Sequence, residues 1–265
     1  MQVLEWRAAY LQALDNTCGS MIEITWQYEP HSYFESDFTA DVHSGSIALA
    51  GGVATFIAES DSADPKLLVE DASAELKALL DARAILTARA YTLSEPRFTR
   101  IDSDGRRHAT LFVDSASHAH VVDNIDLIIR DADGRIIGDS KAERIAQHTS
   151  YVTDMVQKYL ASETLRAMVT SFTASLKDPA NSLVHLYEVR DAAAKHFGDA
   201  AAARRALGMS NGDWRRLGEL ANDAPLAEGR HRGRSTAELR KATEEELGEA
   251  RRLARNIIDA FGSIV

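Results

Sequence analysis

The chain has one cysteine, Cys18, in 265 residues, and that scarcity removes whole classes of architecture. No internal disulfide framework can form, and a zinc site built from several thiolates is excluded. Cys18 has no cationic neighbour in sequence to activate its thiol, so it is read as inert. Prolines number five, and the balance of 45% hydrophobic to 26% charged residues excludes a disordered or low-complexity chain. No run approaches the roughly 20 apolar residues of a membrane span. The nearest, 46–58, is broken by Gly51, Gly52 and Thr55. The first residues carry charge within their apolar pattern and lack the basic-then-apolar order of a signal peptide. A soluble, cytoplasmic protein with no membrane partner is expected. There is no Gly-x-Ser-x-Gly elbow, no P-loop and no dinucleotide fingerprint, and no cofactor is expected.

Positive charge is also in short supply, with 30 lysines and arginines against 40 carboxylates and a net charge of −10. The deficit is uneven. Residues 1–140 hold 11 basic against 23 acidic side chains, a net of −12, whereas residues 141–265 hold 19 against 17, a net of +2. Phosphate contacts need local cations, so nucleic acid is a partner for the second half only. The acidic half suits an unidentified protein partner.

The pattern of hydrophobicity divides at the same place. In the first half, residues 21–28 alternate, with Ile22, Ile24, Trp26 and Tyr28 on one face, which predicts a strand. Residues 46–49 and 53–57 flank Gly51-Gly52, a hairpin signal. The β-branched and aromatic run 85–93 predicts another strand. Asp-Gly pairs at 104–105 and 133–134 predict hairpins joining 98–101 to 109–113 and 125–129 to 135–138. Neither Asp-Gly loop continues to the glutamate that a calcium loop needs. Helices are expected at 3–14 and about 67–82. The second half reads as helices at 141–160, from Ser162 to Leu176, from a cap at Asp178-Pro179 to Gly198, at 200–207, at 213–221, and after the capping box Thr243-Glu-Glu-Glu246. The expected fold is α+β: an antiparallel β-rich domain at 1–140, sandwich-like or a curled sheet, followed by an all-α bundle at 141–265.

Three segments carry chemistry. Ala201 to Leu220 has the form of a helix-turn-helix, with Ala202 or Ala203 under the turn, Gly208 opening it, Trp214 as core anchor, and Arg215 and Arg216 toward DNA. A plain helical hairpin fits it too, and Asp213 near the contact face argues against DNA. The loop from Gly229 to Arg234 holds Arg230, His231, Arg232 and Arg234. Arginine forks bind phosphate bidentately and glycines permit close approach, so this loop is a candidate phosphate or RNA contact with His231 as acid or base. A solvated loop whose arginines pair with carboxylates is the alternative. His118 and His120 share a strand face near Asp114, Asp123 and Asp126, but no third metal ligand can be named, and no metal is expected.

The third segment is Arg190-Asp-Ala-Ala-Ala-Lys-His196 inside a helix. It resembles the motif of the HEPN family (higher eukaryote and prokaryote nucleotide-binding domain), and the β-then-helical order resembles bacterial defence-associated proteins that end in such a domain. The resemblance implies a homodimer that binds RNA or nucleotides, or acts as a metal-independent ribonuclease, with Arg190 and His196 catalytic. Imidazole titrates near neutrality and arginine stays charged, so the residue types suit acid–base work at a phosphate. Six residues at 100° each put the two side chains about 120° apart. They converge only where the helix frays before Gly198 or where a second subunit completes the site. Two other classes stay open: a DNA-binding regulator, and a non-enzymatic interaction module that dimerises through its helices.

Overall fold

The computed structural model describes residues 20–43, 45–60, 65–102, 106–111, 126, 128–130, 135–230 and 238–265. The expected helix at 3–14, Cys18, His118 and His120 lie outside the described residues. The fold class is the expected α+β, an antiparallel sheet followed by helices.

Strands β1 (Ser20–Glu29), β2 (Phe38–Val42), β3 (Gly45–Ala50), β4 (Val53–Ser60), β6 (Arg97–Ile101) and β7 (Arg107–Leu111) form one sheet. Its order is β2-β3-β4-β1-β6-β7, with the two-residue β5 (Thr92–Leu93) paired to β1. All pairings are antiparallel. The alternation in β1 acts as expected: Ile22, Ile24, Trp26 and Tyr28 are each at most 2% exposed. Fully burying such side chains contributes about 1.5–3 kcal/mol apiece. Gly51 and Gly52, at φ of +55° and +84°, make the turn between β3 and β4, a conformation that side chains resist. A separate hairpin joins β8 (Ile128–Arg130) to β9 (Ile136–Asp139).

One expected strand is a helix. Residues 85–87 end α1 (Pro65–Thr87), and only Thr92 and Leu93 of that run are extended. Its β-branched composition is overridden because Leu79, Leu80, Ala82, Ala84 and Ile85 are all buried by continuing the helix. Helices α2 (Ser140–Ala161), α3 (Glu163–Lys177), α4 (Ser182–Phe197), α5 (Ala200–Ala206), α6 (Asn211–Gly218) and α7 (Glu244–Gly262) follow. Ser162 caps α3 by accepting from the Leu165 N–H at 3.2 Å. Asp178 does not cap α4 with its side chain. Pro179–Asn181 form a 3₁₀ turn first, and the Asp178 carboxylate accepts from Asn181 Nδ2 at 2.7 Å and faces His185 Nε2 at 3.3 Å. Those two partners hold it below the usual carboxylate range.

The chain parts into two compact units, 1–77 with 91–153, and 78–90 with 154–265. Ser140, the expected boundary, is thus the first residue of a helix, and α2 changes unit after Thr153. In the second unit α4 packs on α3 and α7. Its core includes Phe172, Leu183, Leu186, Val189, Leu253, Ile257 and Phe261, each at most 1% exposed. Among the described residues no helix is long and apolar enough to cross a membrane.

Candidate functional site

Helix α4 buries Leu183, Leu186, Val189 and Ala193 completely. Tyr187, Arg190, Ala194 and Phe197 follow this stripe at its edge and are half-buried. Three-residue spacing brings Tyr187 beside Arg190, and the Arg190 Cζ lies 5.1 Å from the tyrosine ring centroid.

A second ring comes from the helical hairpin. Asp199 caps α5 through the Ala202 N–H at 2.7 Å. Gly208 turns the chain at φ +62°, and Ser210 caps α6 by accepting from the Asp213 N–H at 3.0 Å. Ala203 is buried and Trp214 is 4% exposed, so the segment is two short capped helices joined by a turn, a geometry that a plain helical hairpin shares. From α4, the Arg190 Cζ lies 5.0 Å from the Trp214 centroid. The indole N–H has no acceptor among the described residues.

Beyond Gly218 the helix widens into a π turn, Glu219–Asp223, in which the Ala224 N–H donates to Glu219 O at 2.8 Å. The Ala221 carbonyl accepts the Arg230 N–H at 2.7 Å. Just before Arg230, Ala227 and Leu226 pair with the Arg240 backbone. Gly229 is needed here, because an added Cβ would lie 3.1 Å from both Ala221 O and Leu226 O. The pinned strap places the Arg230 Cζ 4.8 Å from the Tyr187 centroid, with Nη1 donating to Asp191 Oδ2 at 3.0 Å. Arg190 and Arg230 thus share one aromatic ring.

Among the described residues the candidate arginines of α6 are paired. Arg215 donates to Glu219 Oε1 at 3.1 Å. Arg216 donates to Glu249 Oε2 at 2.9 Å, and this bond raises its already high pKa. Arg240 binds Glu246 at 2.7 and 2.8 Å, and holds that carboxyl down at about 2. Arg190 has no carboxylate within ion-pair distance among the described residues.

His196 is elsewhere. Helix α4 continues through Phe197 before Gly198 ends it at φ +97°, so no fraying swings the imidazole round. Its Nδ1 meets Thr164 Oγ1 at 3.2 Å, and its ring packs at 4.8 Å on Phe197 and on Phe261. Arg190 and His196 therefore face different neighbours within one chain, α6 for the first and α3 with α7 for the second. His231, Arg232 and Arg234 lie outside the described residues. Asp126 pairs with Arg144 at 2.8 Å, and among the described residues no cluster of three or more metal-ligating side chains occurs.

No family model, curated protein or solved structure matches the chain. The likeness to HEPN domains accordingly rests on residues 190–196 and the β-then-helical order. Tyr187, Asp191 and Gly218 were not among the expected site residues, and Trp214 was expected only as an anchor. Two spacings signal them: Tyr187-x-x-Arg190 along α4, and Trp214-x-x-x-Gly218, which leaves a gap one turn beyond the indole on the same helix face.

Proposed function

We propose that the helical unit binds a phosphate of RNA or of a nucleotide, with Arg190 as the cation and Tyr187 and Trp214 as the surfaces that hold it. The carrying observation is Arg190 itself, a half-buried guanidinium laid on two rings with no anionic partner among the described residues. Taking a charge partly out of water costs free energy that protein interiors normally offset with a counter-charge. The rings offset part of it, about 0.5–2 kcal/mol by cation–π attraction. They leave the N–H fork open, in the geometry that matches phosphate oxygens.

The reading stops at binding. Among the described residues the expected base does not stand beside Arg190, since His196 turns to Thr164 and Phe261, and His231 lies outside them. DNA recognition through Arg215 and Arg216 is less favoured, because Glu219 and Glu249 set carboxylates against those arginines.

The test is an anisotropy titration of a labelled single-stranded oligoribonucleotide at fixed salt. Arg190→Ala weakens binding by roughly 10- to 100-fold, since a charged hydrogen bond contributes about 1.5–3 kcal/mol. It also reduces the salt slope by about 0.7 for the lost single-strand contact. Arg190→Lys recovers only part, because an ammonium has no planar fork. Unchanged affinity in a folded Arg190→Ala protein overturns the reading.

A further inference from the structure

Asp191 follows Arg190 directly on α4 and takes Arg230, not Arg190, as its partner. Both guanidiniums are tied to the Tyr187 ring at 5.1 and 4.8 Å. Their charges therefore lie no more than about 10 Å apart, within roughly one Debye length at ordinary salt. Among the described residues, one carboxylate serves these two cations, which leaves a single uncompensated positive charge. The Arg230–Asp191 pair is wet, with side chains 44% and 48% exposed, so it is weak and water can open it.

We infer that Asp191 is a specificity-determining residue of this site: by occupying Arg230 it fits the site to a phosphodiester and disfavours a terminal phosphate. The inference rests on the phosphate-binding reading above. A diester carries one negative charge, which matches Arg190 alone. A phosphomonoester carries about −1.5 to −2 at neutral pH. Its additional charge is repelled by the Asp191 carboxylate, which offsets the attraction of Arg230. The preferred ligand is thus an internal linkage of an RNA strand, not its phosphorylated end and not a mononucleotide.

The experiment is calorimetric titration of the full-length protein with two probes, adenylyl-adenosine for the diester and adenosine 5′-monophosphate for the monoester. Wild type, Asp191→Asn, Arg230→Ala, the double variant and Arg190→Ala are compared at one low salt concentration. Coulomb energy scales with charge, so a gain of about three-fold for the diester in Asp191→Asn implies roughly five- to ten-fold for the monoester. Arg230→Ala leaves the Asp191 carboxylate uncompensated and weakens both probes, the monoester more, while the double variant returns toward wild type, and that reversal identifies the pair. Asp191 is exposed, so the substitution leaves the fold intact, which a melting curve verifies. Equal gains for the two probes, or no gain, overturn the role of Asp191 while loss of binding in Arg190→Ala upholds the site. Arg190→Ala binding both probes like wild type overturns the site and the inference together, as does absence of binding by both wild type and Asp191→Asn.

Discussion

Gly218 leaves open the space that the Nη1 nitrogen of Arg190 occupies; a β-carbon built on Gly218 would collide with it. Glycine inside a helix costs about 0.5–1 kcal/mol relative to alanine, and here that cost lets the guanidinium approach α6 beside Trp214. The colliding atom is the end of a flexible side chain, so an added methyl displaces the arginine and spares the helix.

Gly218→Ala therefore separates position from charge. The variant keeps its melting temperature within a few degrees or gains slightly, by the helix preference for alanine of up to about 1 kcal/mol. Its affinity for the oligoribonucleotide drops toward that of Arg190→Ala. Wild-type affinity in Gly218→Ala shows that the stacked position of Arg190 is irrelevant to binding.

His196→Ala leaves RNA affinity within about two-fold of wild type, the span expected of an exposed substitution worth up to roughly 0.5 kcal/mol. The physical reason is its separate neighbourhood on Thr164 and Phe261. Parallel incubation with RNA in EDTA is the sharper measurement. Metal-independent cleavage lost in both Arg190→Ala and His196→Ala would require a second subunit to unite the pair.

Acid stability reads out the cap of α7. Glu246 accepts from the Thr243 N–H at 2.9 Å and pairs with Arg240, and its carboxyl falls from an ordinary 4.5 to about 2. A depressed folded value means that the stabilisation is complete above 4.5 and is lost as pH falls through about 2. Glu246→Gln is accordingly less stable than wild type at neutral pH, and the gap closes on acidification. Thr243→Ala, which removes the reciprocal bond, costs about 0.5–2 kcal/mol by loss of the cap. Denaturant titrations across that pH range measure both.

Glu75 carries the opposite sign. It is 5% exposed; Oε1 accepts the His43 N–H at 2.9 Å and Oε2 has no partner among the described residues. Burial pushes its carboxyl above the ordinary 4.5. A raised folded value means that the protein is favoured while Glu75 is protonated, and that this advantage is lost as pH rises through the folded value. Glu75→Gln keeps the acceptor for His43 and never ionises. Its stability relative to wild type rises from acid to neutral pH, and a constant difference contradicts the burial of charge.

Features governed by a few adjacent residues are legible in the chain. The Gly51-Gly52 turn, the alternation of β1, the Ser162 and Ser210 caps and the Thr243 capping box depend on backbone angles and bonds spanning at most a few positions. Where burial competes with local preference, the sequence misleads. Residues 85–87 favour a strand by composition yet complete α1, whose last turns bury Leu79, Leu80, Ala82, Ala84 and Ile85. Strand β2 escaped notice because Phe38 is its one fully buried side chain, too faint a pattern to read.

What the sequence by itself determined is the order of β-rich and helical halves, the ends of most helices and the stock of cationic side chains near the second half. Which of the described candidate arginines lacks a carboxylate partner follows only from the folded arrangement. Arg216 finds Glu249 across 33 positions, Arg230 finds Asp191 across 39, and Trp214 comes under Arg190 only when the α5–α6 hairpin folds back on α4. Charge compensation acts through space over a few ångströms, and chain distance carries no record of it.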